Sequence, residues 1–361
     1  MRKNDENRNI RKPNYELLRI FAILLITLMH SLRSAYGHNI GFVGVNTIGN
    51  MGVTLFVLIS GYFGIRMRAS KLIWLWTTML FYSLLIFSVD YYLSEVPTLA
   101  DGNIKAFLKH LYTVLTPVTS NTWWFCTSYF ILMLLSPLFN KAVDSMTKLQ
   151  FQYLLAVLIL VYSISPTFLM HSLSNVPNGK CTENMILAYF LGRYFAKEGI
   201  PLTIRKHVGL CFIGCVAIIF LVNYFLFDPL FMAKDHNFFI IIGSICIFYY
   251  FGKTNISSEK AGNVIRYAAS YAFPFYLMNI FLISKLEHQY SNLSGIDYFL
   301  GFMTVLAEVI LISVLVELFR RLVMQHLLRT PSRYFDHQVE ALKKKGTYGI
   351  YLNFFYTRKS T

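Results

Sequence analysis

Three ionisable residues lie in one apolar stretch, Asn14-Tyr-Glu-Leu-Leu-Arg-Ile-Phe-Ala-Ile-Leu-Leu-Ile-Thr-Leu-Met-His30: Glu16, Arg19 and His30. A helix turns about 100° and rises about 1.5 Å per residue. Arg19 and His30 are eleven residues apart, so they share one helix face, about 16 Å from each other. Glu16 comes three residues before Arg19 and lies on the same side. Such a stripe is expensive in lipid and faces a cavity or a partner. Imidazole titrates near operating pH, which makes His30 a candidate general base. The alternatives are structural: a histidine hydrogen-bonded to a neighbouring helix, and an interfacial arginine paired to Glu16.

The elements that must hold this stripe are apolar nearly throughout. The 361 residues are 55% hydrophobic, 17% aromatic and 14% charged, against about 25% charged in a soluble domain. Long apolar runs fall at about 15–34, 44–65, 72–93, 123–140, 151–170, 184–196, 207–227, 237–252, 268–286 and 298–319. The expected fold is therefore all-α: a polytopic membrane bundle of about ten helices over 1–323, with a basic and aromatic cytoplasmic tail over 324–361. No small-residue cleavage site follows the first run, so it is expected to stay as a span. The sixth and eighth runs are short for a hydrocarbon core of about 30 Å, which predicts either tilted spans or broken helices facing a cavity.

Charge placement orients the bundle. With the N-terminus in the cytoplasm, 26 Lys and Arg fall in inside segments, and only Arg33, Lys105, Lys109, Lys180, Lys234 and Lys285 fall outside. That bias puts both termini in the cytoplasm and accounts for the net charge of +15 as a basic face beside anionic membrane lipid. Nucleic acid is not needed as a partner. The outer loop at about 94–122 reads as a connection or as cover for an external entrance. The tail, with Lys343–Lys345 and aromatics from Tyr348 to Tyr356, suits either a membrane surface or a disordered end.

Cys126, Cys181, Cys211, Cys215 and Cys246 form no CxxC pair and no zinc-spaced cluster, so neither redox nor metal chemistry is indicated. Geometry leaves a Cys126–Cys181 disulfide open. Cys211 and Cys215, four apart in an apolar run, read as small packing residues. Ser60 lacks a GxSxG setting, and Ser60-Gly61 is expected to allow a close helix approach or a bend. Glu308 lies mid-span, where a carboxylate needs a proton or a partner. It is a candidate partner carboxylate for His30 or Arg19, or a structural polar contact. Glu317 reads as interfacial.

Several motifs resemble the acyltransferase-3 family of integral membrane acyltransferases. Leu18-Arg19 followed by His30 resembles its opening helix. Gly52-Val-Thr-Leu-Phe-Val-Leu-Ile-Ser60-Gly61-Tyr62-Phe63 resembles its second span. Asn121-Thr-Trp123-Trp124-Phe125 through Tyr129 to Ser136-Pro137-Leu138 is similar to its Trp-Phe…Tyr…Leu-Ser-Pro signature. Phe275-Tyr276-Leu277-Met278-Asn279 stands where members commonly show Tyr-Leu-x-His. The chain departs from the pattern at Asn279, at Thr54 (where an Asp is frequent), and in the loose fit of Arg66, Arg68 and Lys71 to a paired-arginine motif.

The resemblance implies transfer of an acyl group, usually acetyl, from cytosolic acyl-CoA to a hydroxyl of an extracytoplasmic or lipid-linked polysaccharide. It implies a plasma-membrane enzyme working beside polysaccharide biosynthesis machinery, with acetyl-CoA as donor substrate and no bound cofactor. On this reading His30 is the catalytic base or carries an acyl-His intermediate. Arg19, Glu16, Arg68 and Lys71 meet the acyl-CoA, while Trp123, Trp124, Tyr129 and Asn279 lie on the acceptor side. For the aromatics, a carbohydrate platform stands against an interfacial belt; for the basic residues, phosphate binding stands against ordinary inside charge. A non-catalytic exporter of polysaccharide or lipid-linked sugar is the competing function, though export does not need a His–Arg stripe. A polymerase would call for a larger outer loop.

Overall fold

The computed structural model describes residues 11–32, 37, 39–97, 102–170 and 179–344, with side chains up to residue 324. Among the described residues there are helices and no strand. Within the described residues each of the ten apolar runs is mostly helical. The helices in chain order are α1 (Pro13–Ser31), α2 (Ile40–Gly49), α3 (Met51–Phe63), α4 (Ala69–Tyr92), α5 (Ile104–Leu115), α6 (Trp124–Ser145) and α7 (Lys148–Phe168). Then come α8 (Thr182–Glu198), α9 (Leu202–Lys206), α10 (Val208–Leu226), α11 (Phe238–Lys253), α12 (Glu259–Ala269), α13 (Ala272–Leu286) and α14 (Gly295–Lys344).

Among the described residues, six helices are long and apolar enough to cross a membrane, and the bent pair α12–α13 makes a seventh if it counts as one span. The protein is thus a multi-pass membrane protein. α1 falls outside the six because Asn14, Glu16, Arg19 and His30 dilute its apolar residues. The short helices α8 and α11 are not broken. They bury half or more of their residues in the protein, and a helix packed in protein need not be uniformly apolar. The interruptions fall elsewhere: at Asn50 between α2 and α3, and at the 47° bend between α12 and α13.

Two compact units divide the chain. The first, residues 1–63 with 148–310, holds α1–α3, α7–α13 and the start of α14. Pro13, whose fixed φ suits a first helical position, starts α1. Tyr15 stacks on Tyr62 and meets Phe63 edge-on, with ring centroids 5.1 Å apart in each pair. Gly52 lies against Ala22 and Ile26, so α1 and α3 run antiparallel. α11 runs alongside α3, with Gly243 at Met51 and Phe248 at Tyr62, and so against α1, where Asn14 Nδ2 donates to the carbonyl oxygens of Phe251 (3.0 Å) and Gly252 (3.4 Å). Gly61 resolves the question posed by Ser60-Gly61 in favour of a close approach. A Cβ at Gly61 would collide with the backbone of Tyr189, and one at Gly192 with the backbone of Leu58. α3 and α8 therefore cross with their backbones in contact.

The second unit, residues 64–147 with 311–361, holds α4–α6 and the rest of α14. Asn140 Nδ2 donates to Ile65 O at 2.9 Å. The outer loop is partly helical. α5 packs Phe107 and His110 on Phe87 of α4 and leaves Ile104, Leu108, Tyr112 and Leu115 exposed, a stripe at helical spacing beside Lys105 and Lys109 that suits a membrane interface. α14 continues to Lys344, beyond the end expected of the last span. The aromatic run Tyr348–Tyr356, like Arg33, lies outside the described residues.

Candidate active site

One end of α1 is a charged cluster built within the first unit. Glu16 is buried, and its Oε1 accepts a 2.5 Å hydrogen bond from Arg19 Nη1. Arg11 Nη1 stands 3.7 Å from Oε2, too far for a hydrogen bond, and that oxygen has no hydrogen-bond partner. α12 closes the cluster: Arg266 Nη1 reaches Arg11 O at 3.5 Å, and its Nη2 donates to Asn263 Oδ1 at 2.7 Å. Beside it a cleft of about 340 Å³ is lined by Lys12, Pro13, Asn14 and the segment from Gly252 to Ile256. Lys12, Lys253 and the N-terminal dipole of α1 favour an anion there. Arg19 was legible as a cation for such a group. Arg11, Lys12 and Lys253 were not singled out, because before a span they look like ordinary inside charge.

The other end of α1 carries His30, half-buried in the last turn. Thr27, on the same side one turn earlier, gives its hydroxyl proton to Ile23 O at 2.9 Å and accepts from Asn279 Nδ2 at 3.2 Å. Asn279 is fully buried, so its hydrogen bond holds α13 on the His30 end of α1. Tyr290 OH, also fully buried, donates to Ser31 O at 2.5 Å and pins the end of the helix. Thr27 and Tyr290 were missed; each partner is more than 250 residues away in sequence. Glu308, a candidate partner for His30 or Arg19 or a structural polar contact, accepts from Gln289 Nε2 at 3.3 Å, while Arg19 pairs with Glu16.

The same end holds a buried loop. Asp235 and His236 precede α11 and are 3% and 7% exposed. Burial pushes the Asp235 carboxyl up to about 7, with Lys180 opposing, and burial with Lys234 pushes His236 down to about 4.

The remaining candidates lie in the second unit. Arg66, Arg68 and Lys71 are exposed around the start of α4, with Lys71 Nζ 3.5 Å from Arg66 O. Trp123 caps α6 and is buried, whereas Trp124 and Tyr129 are half-exposed, and Phe125 stacks on Tyr129 at 5.9 Å. Glu317 is 1% exposed. Its Oε2 accepts from Tyr82 OH (2.9 Å) and Arg320 Nε (2.7 Å), and its Oε1 from Arg320 Nη2 (2.8 Å) and Arg321 Nε (2.7 Å). Those partners shield a carboxylate that isolated reading would place at the membrane surface. All five cysteines are free thiols.

A helical membrane domain with an ionised N-terminal end and a histidine at the far end of its first helix defines a class, and the family comparison agrees with it. The family described as an acyltransferase domain matches residues 12–318, from the start of α1 into α14. The chain belongs to this acyltransferase-3 family and is a membrane acyltransferase. No curated protein and no solved structure matches it.

Proposed function

We propose that the protein moves an acetyl or other short acyl group from cytosolic acyl-CoA to a hydroxyl of an extracytoplasmic or lipid-linked polysaccharide, in a ten-span arrangement with both termini inside the plasma membrane. The observation that carries this reading is the polarity of α1. A cation-rich cluster with an anion-sized cleft stands at one end, and His30 lies about 16 Å further along the same face. The Lys and Arg bias makes the Arg19 end cytoplasmic.

On this reading Arg19 and the Lys12–Lys253 cleft hold the phosphates of the donor. The extended pantetheine runs along α1 and presents the thioester near His30. His30 takes the proton from the acceptor hydroxyl as its oxygen attacks the thioester carbonyl. The C–S bond breaks, the coenzyme A thiolate leaves and is protonated, and the acceptor keeps the acyl group as an ester. An acyl-His intermediate would split the same balance into two steps. Asn279 and Thr27 hold the α1–α13 contact beside the reacting groups.

Mass spectrometry of surface glycans from cells with and without the protein tests the reading. A loss of one acetyl unit per modified residue is expected on deletion, restored by the wild type and not by His30→Ala. Identical glycans in all three would overturn it.

A further inference from the structure

In the second unit, the connection between α4 and α6 carries a helix of its own. Asn103 starts α5 by accepting from Ala106 N at 3.0 Å, and Ser120 Oγ closes its other end on Thr113 O (2.9 Å) and Thr116 O (2.7 Å). Thr127 Oγ1 in α6 donates to Val118 O at 3.0 Å, so the end of α5 is tied to the first turn of α6. Its inner face packs on α4: the Phe107 ring centroid is 6.2 Å from those of Phe87 and Tyr91, and that of His110 is 5.5 Å from Phe87. These contacts fix its depth. Phe87 and Tyr91 stand about 27 and 33 Å along α4 from Ala69, and Trp124 about 32 Å along α6 from Ser145, against a hydrocarbon core of about 30 Å. α5 is therefore level with the boundary of the bilayer, at the ends of two helices long and apolar enough to cross it.

Around its axis α5 has three faces. Phe107, His110 and the buried Val114 turn inward. Ile104, Leu108, Tyr112 and Leu115 follow one another at helical spacing, each at least 45% exposed, and form one apolar stripe. Lys105 and Lys109, one turn apart, are exposed on the flank beyond that stripe, and α5 contains no acidic residue. A packed face, an apolar face and a cationic flank in that order suit a bilayer surface: acyl chains cover the stripe, and the lysine stems run along it to reach phosphate. The positive charge is concentrated as well, since these lysines are two of the six cations on that side of the chain. A second copy of the chain is a poorer match. The stripe is about 18 Å long and 10 Å wide, on the order of 200 Å², against about 800 Å² a side in a stable complex.

We propose that α5 is an interfacial helix that binds anionic phospholipid, with acyl chains on Ile104, Leu108, Tyr112 and Leu115 and the headgroup phosphate on Lys105 and Lys109. The orientation proposed above makes this the outer leaflet; the interfacial placement rests neither on that orientation nor on acyl transfer.

The test uses the full chain in nanodiscs of mixed phosphatidylcholine and phosphatidylglycerol, and needs neither acetyl-CoA nor an acceptor. Benzoylphenylalanine incorporated at position 108 is photolysed, and its adducts are identified by mass spectrometry. The same is done with Lys105→Gln and Lys109→Gln together, and melting curves report the folding of each protein. Lipid adducts are expected, with the ratio of phosphatidylglycerol to phosphatidylcholine about fivefold or more above the ratio supplied, and equal to it in the lysine variant. Salt raised to about 1 M, where the Debye length is about 3 Å, should erase the preference with both lysines in place, which keeps the test decisive if the variant fails to fold. No lipid adduct, or an adduct with a second copy of the chain, overturns the proposal. So does a lipid adduct without a preference for phosphatidylglycerol, or a preference that survives both the loss of the lysines and the added salt.

Discussion

Glu16 in the first unit and Glu317 in the second are both buried carboxylates beside arginines, yet they are finished differently. Glu317 accepts four hydrogen bonds, two of them from Arg320, and the Arg320 guanidinium lies 5.5 Å from the Trp74 ring centre. Glu16 accepts one, from Arg19, and its second oxygen has only Arg11 at 3.7 Å. A closed network orders the elements that make it and leaves nothing to offer a ligand. An open one keeps guanidinium N–H groups for a substrate: Arg19 uses one nitrogen on Glu16 and is about a quarter exposed. The pair therefore separates structural charge from charge available for binding, although both have the same residue types at helical spacing.

Breaking each side should separate the two by the donor KM. Glu317→Ala strands Arg320 in a buried site and should destabilise the protein most, by about 3–5 kcal/mol. Melting of the purified protein should show it as a large fall in Tm, with the KM for acyl-CoA unchanged in the fraction that stays folded. Arg19→Ala takes away the one hydrogen bond that buried Glu16 accepts, so Tm should fall too, by less than in Glu317→Ala because Arg11 stays nearby. The KM for acetyl-CoA should rise on the order of 10- to 100-fold, as for a lost charge-assisted hydrogen bond, with the acceptor KM unchanged. Equal effects on donor and acceptor would place Arg19 outside the donor site. Glu16→Gln, which keeps a hydrogen-bond acceptor for Arg19 but loosens its hold, should raise the donor KM by less than Arg19→Ala does.

The smallest effect concerns Asp235, a third buried carboxyl, and it appears as a dependence on pH. Its folded-state pKa of about 7 is above the ordinary 3.8, so the neutral form is the one the buried site tolerates. Stability from this group is full below about pH 4 and is lost as pH rises through 7. Asp235→Asn should therefore melt a few degrees above the wild type at pH 8 and at the same temperature near pH 4. His236, lowered from 6.5 to about 4, contributes stability above pH 6.5 that is lost as pH falls through 4. Both proteins keep His236, so that acid-side loss should be common to them. A variant that melts with the wild type at both pH values would contradict the burial of Asp235.

What could be read in advance followed from how far each signal reaches along the chain. The α1 stripe was legible because apolar periodicity makes Glu16, Arg19 and His30 conspicuous within one helix. Ser60-Gly61 marked a close approach for the same local reason. The closed network at Glu317 was not legible because Tyr82, one of its donors, lies 235 residues away. The ties from Asn279 to Thr27 and from Tyr290 to Ser31 span still greater separations. α5 was hidden in a stretch with polar residues and prolines, and its apolar stripe emerges only once the helix is known. The cleft at Lys12 and Lys253 joins two ordinary-looking span ends, which no single window of sequence contains.

The central claim is that His30, at the far end of the open Glu16–Arg19 cluster, carries the chemistry. The direct measurement is single-turnover transfer of radiolabelled acetyl from acetyl-CoA to acceptor glycan by purified wild type and His30→Ala in proteoliposomes. The account predicts that the variant folds, binds acetyl-CoA as the wild type does, and transfers about 10²- to 10⁴-fold more slowly. Transfer at the wild-type rate by His30→Ala would contradict it.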